Sequence, residues 1–185
     1  MTGIVLTTPR LALREWRKGD DASVAAMQTP AVMRWLQDEN MPVRRPGSVE
    51  ERMRVMQAEY GHCFWVVERR NDGEFLGYCG LKRVDAEGTA LTGAFEIGWS
   101  LAEQHWNHGY ATEAALAVLE RAFAVHDAPF VIAFTVAENV ASWRVMKRIG
   151  MERRADLDFH DPAFSDALNP TIVYRIEKDQ WKGAA

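Results

Sequence analysis

The most informative part of the sequence is Glu96-Ile-Gly-Trp-Ser-Leu-Ala-Glu-Gln-His-Trp-Asn-His-Gly-Tyr-Ala-Thr-Glu113. Its first part alternates apolar and polar residues, which predicts a half-buried strand, and its last part leads into a helical pattern. Gly109 lets the backbone of the intervening loop approach a ligand closely. The free N–H groups and the positive dipole end of the following helix favour an anion such as a diphosphate. An ordinary strand-to-helix turn is the alternative interpretation.

The strand predicted over 94–101 sorts its side chains onto two faces. One face carries large apolar residues, namely Phe95, Ile97, Trp99 and Leu101. The other carries small or polar residues, namely Ala94, Glu96, Gly98 and Ser100. Because Gly98 has no side chain, we expect room for a substrate beside Glu96.

A second informative stretch runs from Glu138 to Met151. Asn139 is a favourable N-cap for a helix through Ile149, and Gly150 fits the left-handed position that follows a helix end. On its own, this stretch is also typical of an ordinary amphipathic helix.

The remaining patterns predict an α/β (α+β) fold in which one mixed sheet of about seven strands is flanked by about four helices. Strands are predicted at 10–16, 63–67, 74–84, 94–101, 130–136, 151–159 and 171–177. Helices are predicted at 20–28, 48–60, 109–125 and 139–149, with a further short helix at 31–37 and a break at 42–46. We expect a single domain over residues 1–185, with an ordered core at roughly 4–180.

Composition argues against several classes of protein. A net charge of −4 does not fit a nucleic-acid binder, which is usually basic. No apolar stretch approaches the ~20 residues that cross a bilayer, and no secretory signal is visible, so a cytoplasmic location is expected. Cys63 and Cys79 lack CxxC spacing and are expected to be reduced. His105 and His108 have metal-compatible spacing, but no third ligand is evident, so no metal is expected.

Together, these patterns resemble the GNAT N-acetyltransferases, in particular the branch of ribosomal-protein N-terminal acetyltransferases (RimJ/RimL type). The resemblance covers most of the chain. It is carried by Thr7-Thr-Pro-Arg-Leu-Ala-Leu-Arg14, Phe75-Leu-Gly-Tyr-Cys-Gly80, Trp106 to Ala111, Asn139-x-x-Ser142 with Arg148-Ile-Gly-Met151, and Val173-Tyr-Arg175. Trp106 replaces the Gln or Arg that often begins the family's loop. Met146 takes the place of a tyrosine general acid that many members carry.

The resemblance implies transfer of an acetyl group from acetyl-CoA to a primary amine by direct attack in a ternary complex. Two classes of acceptor are compatible with the resemblance: a protein N-terminus and a small-molecule amine. An N–H of the strand over 97–101 would stabilise the thioester oxygen. The expected cofactor-binding residues are Trp99, Ser100, Leu101, Trp106, Asn107, His108, Gly109, Tyr110, Ala111, Asn139, Ser142 and Arg144.

Glu96 and Ser142 are the candidate catalytic residues. An α-amino group has a pKa near 8 and a glutamate near 4.3, so Glu96 serves as a base best when buried or when working through water. Ser142 is expected to donate a hydrogen bond to the departing thiolate. The alternatives are a salt-bridged strand carboxylate for Glu96 and an ordinary first-turn serine for Ser142.

Two other functions remain compatible with the sequence. One is a catalytically silent CoA-binding or regulatory domain of the same fold, because a fold alone does not establish activity. The other is an interaction module that uses some of the seven tryptophans. Arg144, Lys147 and Arg148 either meet CoA phosphates or form a solvated basic face. A monomer and a homodimer are both compatible with the sequence.

Overall fold

One mixed sheet organises the protein, whose computed structural model describes residues 3–36 and 47–183. Its strands are β1 (Ile4–Thr7), β2 (Leu11–Arg14), β3 (Phe64–Arg69), β4 (Phe75–Arg83), β5 (Phe95–Leu101), β6 (Phe130–Val136), β7 (Glu152–Arg153) and β8 (Thr171–Glu177). They are arranged in the order β1-β2-β3-β4-β5-β6-β8-β7. The β5–β6 pair is parallel and the other neighbours are antiparallel.

Five α-helices lie within the described ranges. They are α1 (Asp20–Met27), α2 (Pro30–Met33), α3 (Val49–Tyr60), α4 (Tyr110–Ala124) and α5 (Val140–Arg148). The predicted caps are confirmed at α3, where the Ser48 side chain accepts from the amide of Glu51, and at α5, where Asn139 accepts from Ser142. Gly150 has φ of +86°, the left-handed conformation expected after a helix end. In the described part of the chain, no helix combines the length and apolarity that crossing a membrane requires.

The predicted α/β fold is confirmed, with two differences in its strands. β1 is an additional strand, which pairs with β2 across the turn at 8–10. The strand predicted over 151–159 is interrupted, since β7 ends at Arg153 and pairing with β8 returns only as an isolated bridge between Phe159 and Thr171. The Asp158 carboxylate ends the ladder because it accepts from the Val173 amide at 3.0 Å, a donor that a longer strand would pair. The break predicted at 42–46 lies outside the described residues.

The helix α4 fixes the middle of the sheet. Its buried face consists of Tyr110, Ala114, Ala115, Val118, Leu119, Ala122 and Phe123, the spacing expected of a core-facing helix. Burying one Val or Leu side chain contributes about 1.5–3 kcal/mol. This packing holds the start of α4 at the end of β5.

β5 and β6 separate within the sheet, and the separation creates a cavity. Their parallel register joins only Phe95 to Val131 and Glu96 to Ile132. β6 continues to pair with β8 as far as Val136, while β5 continues to pair with β4 as far as Leu101. The remainder of β5 therefore faces a gap instead of a neighbouring strand.

Candidate active site

A cavity of about 730 Å³ occupies the gap between β5 and β6. Its walls come from both strands, from α5, from residues 35–36 after α2, and from the segments at 85–87 and 161–164. The side-chain amide of Asn169 holds the segment at 161–164 in place, since its Nδ2 donates to the carbonyls of Asp161, Phe164 and Ser165. The cavity is therefore bounded by the strand pair on one side and by an internally bonded loop on another.

The predicted site residues fall into two groups and one outlier. Those lining the cavity are Glu96, Trp99, Ser100, Asn139 and Ser142. Those at the end of β5 and the start of α4 are Leu101, Trp106, Asn107, His108, Gly109, Tyr110 and Ala111. Arg144 is the outlier, because it is exposed on α5 with its guanidinium 5.9 Å from the Trp143 ring centre. Both candidate catalytic residues thus border one space.

Glu96 is buried and paired with a lysine. Lys82 Nζ lies 3.1 Å from Glu96 Oε2, and it lies 3.1 Å from Asp85 Oδ1. Burial alone lowers the pKa of Lys82, but the attraction of Glu96 and then of Asp85 raises it above its usual value. An adjacent cation favours the ionised carboxylate. The ion pair that sequence analysis offered as the alternative for Glu96 is present, and it leaves a proton-accepting role open.

Gly98 lines the cavity beside Glu96, as expected, but the Phe64 ring lies directly against it. A Cβ built on Gly98 would lie 3.0 Å from Cζ of Phe64. The missing side chain therefore accommodates the Phe64 ring, and that ring lines the cavity in turn. The cavity beside Glu96 is therefore present, but Phe64, which comes from β3, two strands away in the sheet, narrows it at Gly98.

The start of α5 presents a capped first turn to the cavity. Asn139 uses both ends of its side chain, since Oδ1 accepts from the Ser142 amide at 3.3 Å and Nδ2 donates to Thr135 Oγ1 at 2.9 Å. The amide of Ser142 takes the cap bond, so its hydroxyl is not required for capping. Met146 is buried and lines the same wall without offering a hydroxyl.

Tyr78 is a cavity residue that sequence analysis missed. It lies directly opposite Ser100 in the β4–β5 register, and its ring stacks on Phe64 with centroids 6.2 Å apart. Burial raises the pKa of its phenol, so the hydroxyl is protonated at neutral pH. The alternating pattern of 74–84 predicts a strand, but it does not predict that β5 lies beside this strand or that Tyr78 lies opposite Ser100.

The loop of residues 106–111 carries a run of free donors. Within the described residues, the backbone N–H groups of 107–112 donate to no acceptor. Gly109 has φ of +79°, a conformation that favours glycine. Trp106 Nε1 donates to the Leu101 carbonyl at 2.8 Å, which ties the loop to β5. Such a run of N–H groups before a helix of 15 residues is suited to a diphosphate.

The two cysteines, His105 and His108 do not line the cavity. Cys63 and Cys79 are both buried and free, and burial raises the pKa of the Cys63 thiol to about 12. A thiol of that kind is a poor nucleophile at neutral pH. His105 Nε2 lies 3.2 Å from Glu74 Oε1, whereas His108 Nδ1 lies 2.7 Å from the Trp106 carbonyl. The two imidazoles therefore contact different groups.

Comparison with known proteins identifies relatives of this arrangement. The family model described as "Acetyltransferase (GNAT) domain" matches residues 10–152. The uncharacterized N-acetyltransferase YnaD of Bacillus subtilis (strain 168) is 32% identical over 95% of this chain and 98% of its own length. The uncharacterized protein YkkB of the same organism is 39% identical, but the match spans 50% of this chain and only 52% of YkkB.

Solved structures share the fold. An acetyltransferase from Agrobacterium tumefaciens str. C58 superposes with a TM-score of 0.73 at 25% identity, covering 93% of both chains. A spermidine N-acetyltransferase from Vibrio cholerae, solved in complex with CoA and spermine, has a TM-score of 0.70. It is 16% identical and covers 94% of this chain and 98% of its own, a likeness of fold alone.

Proposed function

Because the chain belongs to the GNAT acetyltransferase family, with acetyl-CoA as its acetyl donor, we propose that it acetylates a primary amine by direct attack in a ternary complex. The single observation that carries the proposal is the cavity between β5 and β6, whose lining includes Glu96 and Ser142. The acceptor is a protein N-terminus, as in the RimJ/RimL type, or a small-molecule amine.

The donor occupies two parts of the site in this proposal. The amides of residues 107–112 bind the diphosphate of acetyl-CoA, and the pantetheine arm runs along the gap between β5 and β6. Asn139 lies beside that arm, and the exposed edge of β5 offers N–H groups to the thioester oxygen. A preorganised donor of this kind contributes a few kcal/mol as negative charge develops on that oxygen.

The acceptor enters from the side of the cavity where Glu96 lies. The incoming amine is protonated in solution, so it must lose a proton before it attacks. Glu96 accepts that proton, either directly or through a water molecule. Attack forms the C–N bond and breaks the C–S bond, and the second proton leaves the nitrogen for the sulfur of the departing CoA. Ser142 donates a hydrogen bond to that sulfur as its negative charge develops.

Three further cavity residues shape the acceptor's surroundings. Tyr78, Phe64 and Trp99 line the wall with aromatic surface, which suits a cationic or partly apolar amine. The V. cholerae structure holds a polyamine, so polyamines belong in the set of acceptors to be tested alongside peptides.

The test measures thiol release from acetyl-CoA with a panel of amines, namely peptides with free N-termini, polyamines, amino acids and aminoglycosides. We expect at least one amine to raise thiol release well above hydrolysis, and mass spectrometry to find one added acetyl group on its nitrogen. CoA binding measured by calorimetry separates the alternatives. Binding without acetylation of any amine favours the catalytically silent domain, and no binding contradicts the donor site itself.

A further inference from the structure

Arg10 connects the beginning of the chain to the 106–111 loop. Its Nε donates to Glu113 Oε2 at 2.6 Å, and its Nη1 donates to the carbonyl of His108 at 2.9 Å. Its own amide donates to Glu113 Oε1 at 2.9 Å. The guanidinium also covers the Tyr110 ring, 4.7 Å from the ring centre. One side chain next to β2 therefore holds three residues around the start of α4.

The bond to the His108 carbonyl fixes the direction of the next amide. A trans peptide is planar, and its C=O and N–H point in opposite directions. The sole cis peptide of the described residues is Asn169–Pro170, so the bond between His108 and Gly109 is trans. Because Arg10 holds the His108 oxygen on one side, the Gly109 N–H points to the other, where no acceptor in the described chain meets it.

The amide of Asn107 is fixed in the same way. His108 Nδ1 bonds the Trp106 carbonyl at 2.7 Å, which turns the Asn107 N–H away from that side. Two carbonyls of the loop are thus held by side chains, and the donors that follow them are left available. A set of donors oriented before binding loses less conformational entropy when the ligand arrives.

Arg10 also offsets a charge that would oppose a diphosphate. Glu113 lies in the first turn of α4. Burial raises its pKa, but hydrogen bonds from Thr8 and Arg10 outweigh this and lower it, so the carboxylate is ionised at neutral pH. An unpaired carboxylate close to the loop would repel a bound anion.

We propose that Arg10 is a positioning residue for acetyl-CoA, which orients the amides of the 106–111 loop through His108 and Glu113. The inference rests on the proposed function, because it assumes that this loop holds the diphosphate. The fork of the guanidinium matters as well as its charge, since one planar group serves two acceptors at once.

The test uses Arg10→Met with two donors, acetyl-CoA and S-acetylpantetheine, which lacks the diphosphate. We expect KM for acetyl-CoA to rise on the order of tenfold, the value of one charge-assisted hydrogen bond. The loss with S-acetylpantetheine should be much smaller, and KM for the amine should not change. Arg154→Met is the matched control, because it removes an exposed Arg–carboxylate pair, with Asp156, outside the cavity wall and the loop.

Several outcomes would overturn the inference without touching the proposed function. Equal losses with both donors, or a rise in KM no larger than that of Arg154→Met, would remove the positioning role while the wild type still binds CoA. Full recovery in Arg10→Lys would show that charge alone matters. If Arg10→Met fails to fold, Glu113→Gln loosens the same contacts from α4 and is expected to raise KM for acetyl-CoA in its place. Failure of the wild type to bind CoA would instead contradict the proposed function.

Discussion

Lys82 and Glu96 are direct partners in the antiparallel β4–β5 register, and Lys82 Nζ lies 3.1 Å from Glu96 Oε2. The ammonium also lies 3.1 Å from Asp85 Oδ1, so it stands between two carboxylates. The raised pKa of Lys82 keeps it charged at neutral pH. A charged neighbour stabilises the ionised form of Glu96, which is the form that accepts a proton.

The first prediction concerns the pH profile of Lys82→Met. Without the ammonium, the Glu96 carboxylate is ionised only at higher pH, so the acidic limb of kcat/KM should move upward by about one pH unit. Lys82→Arg retains a positive charge and should keep the limb near its wild-type position. A limb that stays in place in Lys82→Met would show that this pair does not tune the group that controls the rate.

Replacing Glu96 itself tests the proton acceptor. Glu96→Gln keeps the shape of the side chain but cannot take up a proton, and we expect kcat to fall by ~10²-fold or more. Glu152→Gln on β7 makes the same chemical change at an exposed position away from the cavity. Near-normal turnover of Glu96→Gln at neutral pH would remove Glu96 from the mechanism and leave it a structural partner of Lys82.

Ser142→Ala tests the stabilisation of the thiolate. The cap bond of α5 uses the Ser142 amide, so the substitution should leave the melting temperature nearly unchanged. Loss of one hydrogen bond to a charged leaving group should lower kcat about tenfold. KM for acetyl-CoA should change less than kcat. An unchanged kcat would withdraw the role of Ser142.

The sequence predicted some parts of this site well because they depend on neighbouring residues in the chain. The two faces of β5 and the Asn139 cap follow from local periodicity and capping chemistry. Lys82, Phe64 and Arg10 could not be found in that way. Lys82 reaches Glu96 only through the register set across the loop at 84–94, and Arg10 meets Glu113 from 103 positions away. Hydrophobic periodicity predicts that a strand exists, but it does not predict which strand lies beside it.

Gly98 and Gly80 give a graded test of the packing around β4 and β5. A Cβ at Gly98 would press on the tip of the Phe64 ring at 3.0 Å, whereas a Cβ at Gly80 would lie 2.1 Å from the carbonyl oxygen of Cys63. A ring can shift, but a paired backbone cannot. We therefore expect Gly98→Ala to cost about 1–3 kcal/mol of unfolding free energy, and Gly80→Ala to cost more.

Gly98→Ala also links the packing of β5 to the acceptor pocket. In Gly98→Ala the displaced Phe64 ring moves into the cavity, so KM for the amine should rise more than KM for acetyl-CoA. Gly98→Ala combined with Phe64→Leu should recover part of the lost stability, because the smaller side chain leaves room for the methyl group. A double variant less stable than both single ones would contradict this account of Gly98. Urea unfolding and steady-state kinetics measure the two effects.

The last prediction concerns two histidines on the other side of β5. His62 and His126 have ring centroids 5.2 Å apart, and both rings lie against Phe95. Burial lowers the pKa of both imidazoles, and the positive charge of Arg83 acts in the same direction. The positive charge that His62 carries when it is protonated lowers the pKa of His126 further. Both side chains are therefore neutral in the native protein at neutral pH.

In the unfolded chain each histidine takes up a proton near pH 6.5, whereas the native protein does so only at lower pH. Between these values the unfolded state binds more protons, so the free energy of unfolding falls as the pH decreases below about 6.5. Above that pH both states are neutral at these positions and the contribution is constant. His126→Asn should remove the uptake of one proton and flatten the slope measured by urea unfolding between about pH 5 and 7. The exposed His160 supplies the control, since His160→Asn should keep the wild-type slope. A His126→Asn slope as steep as that of the wild type would show that this pair does not make the native state sensitive to acid.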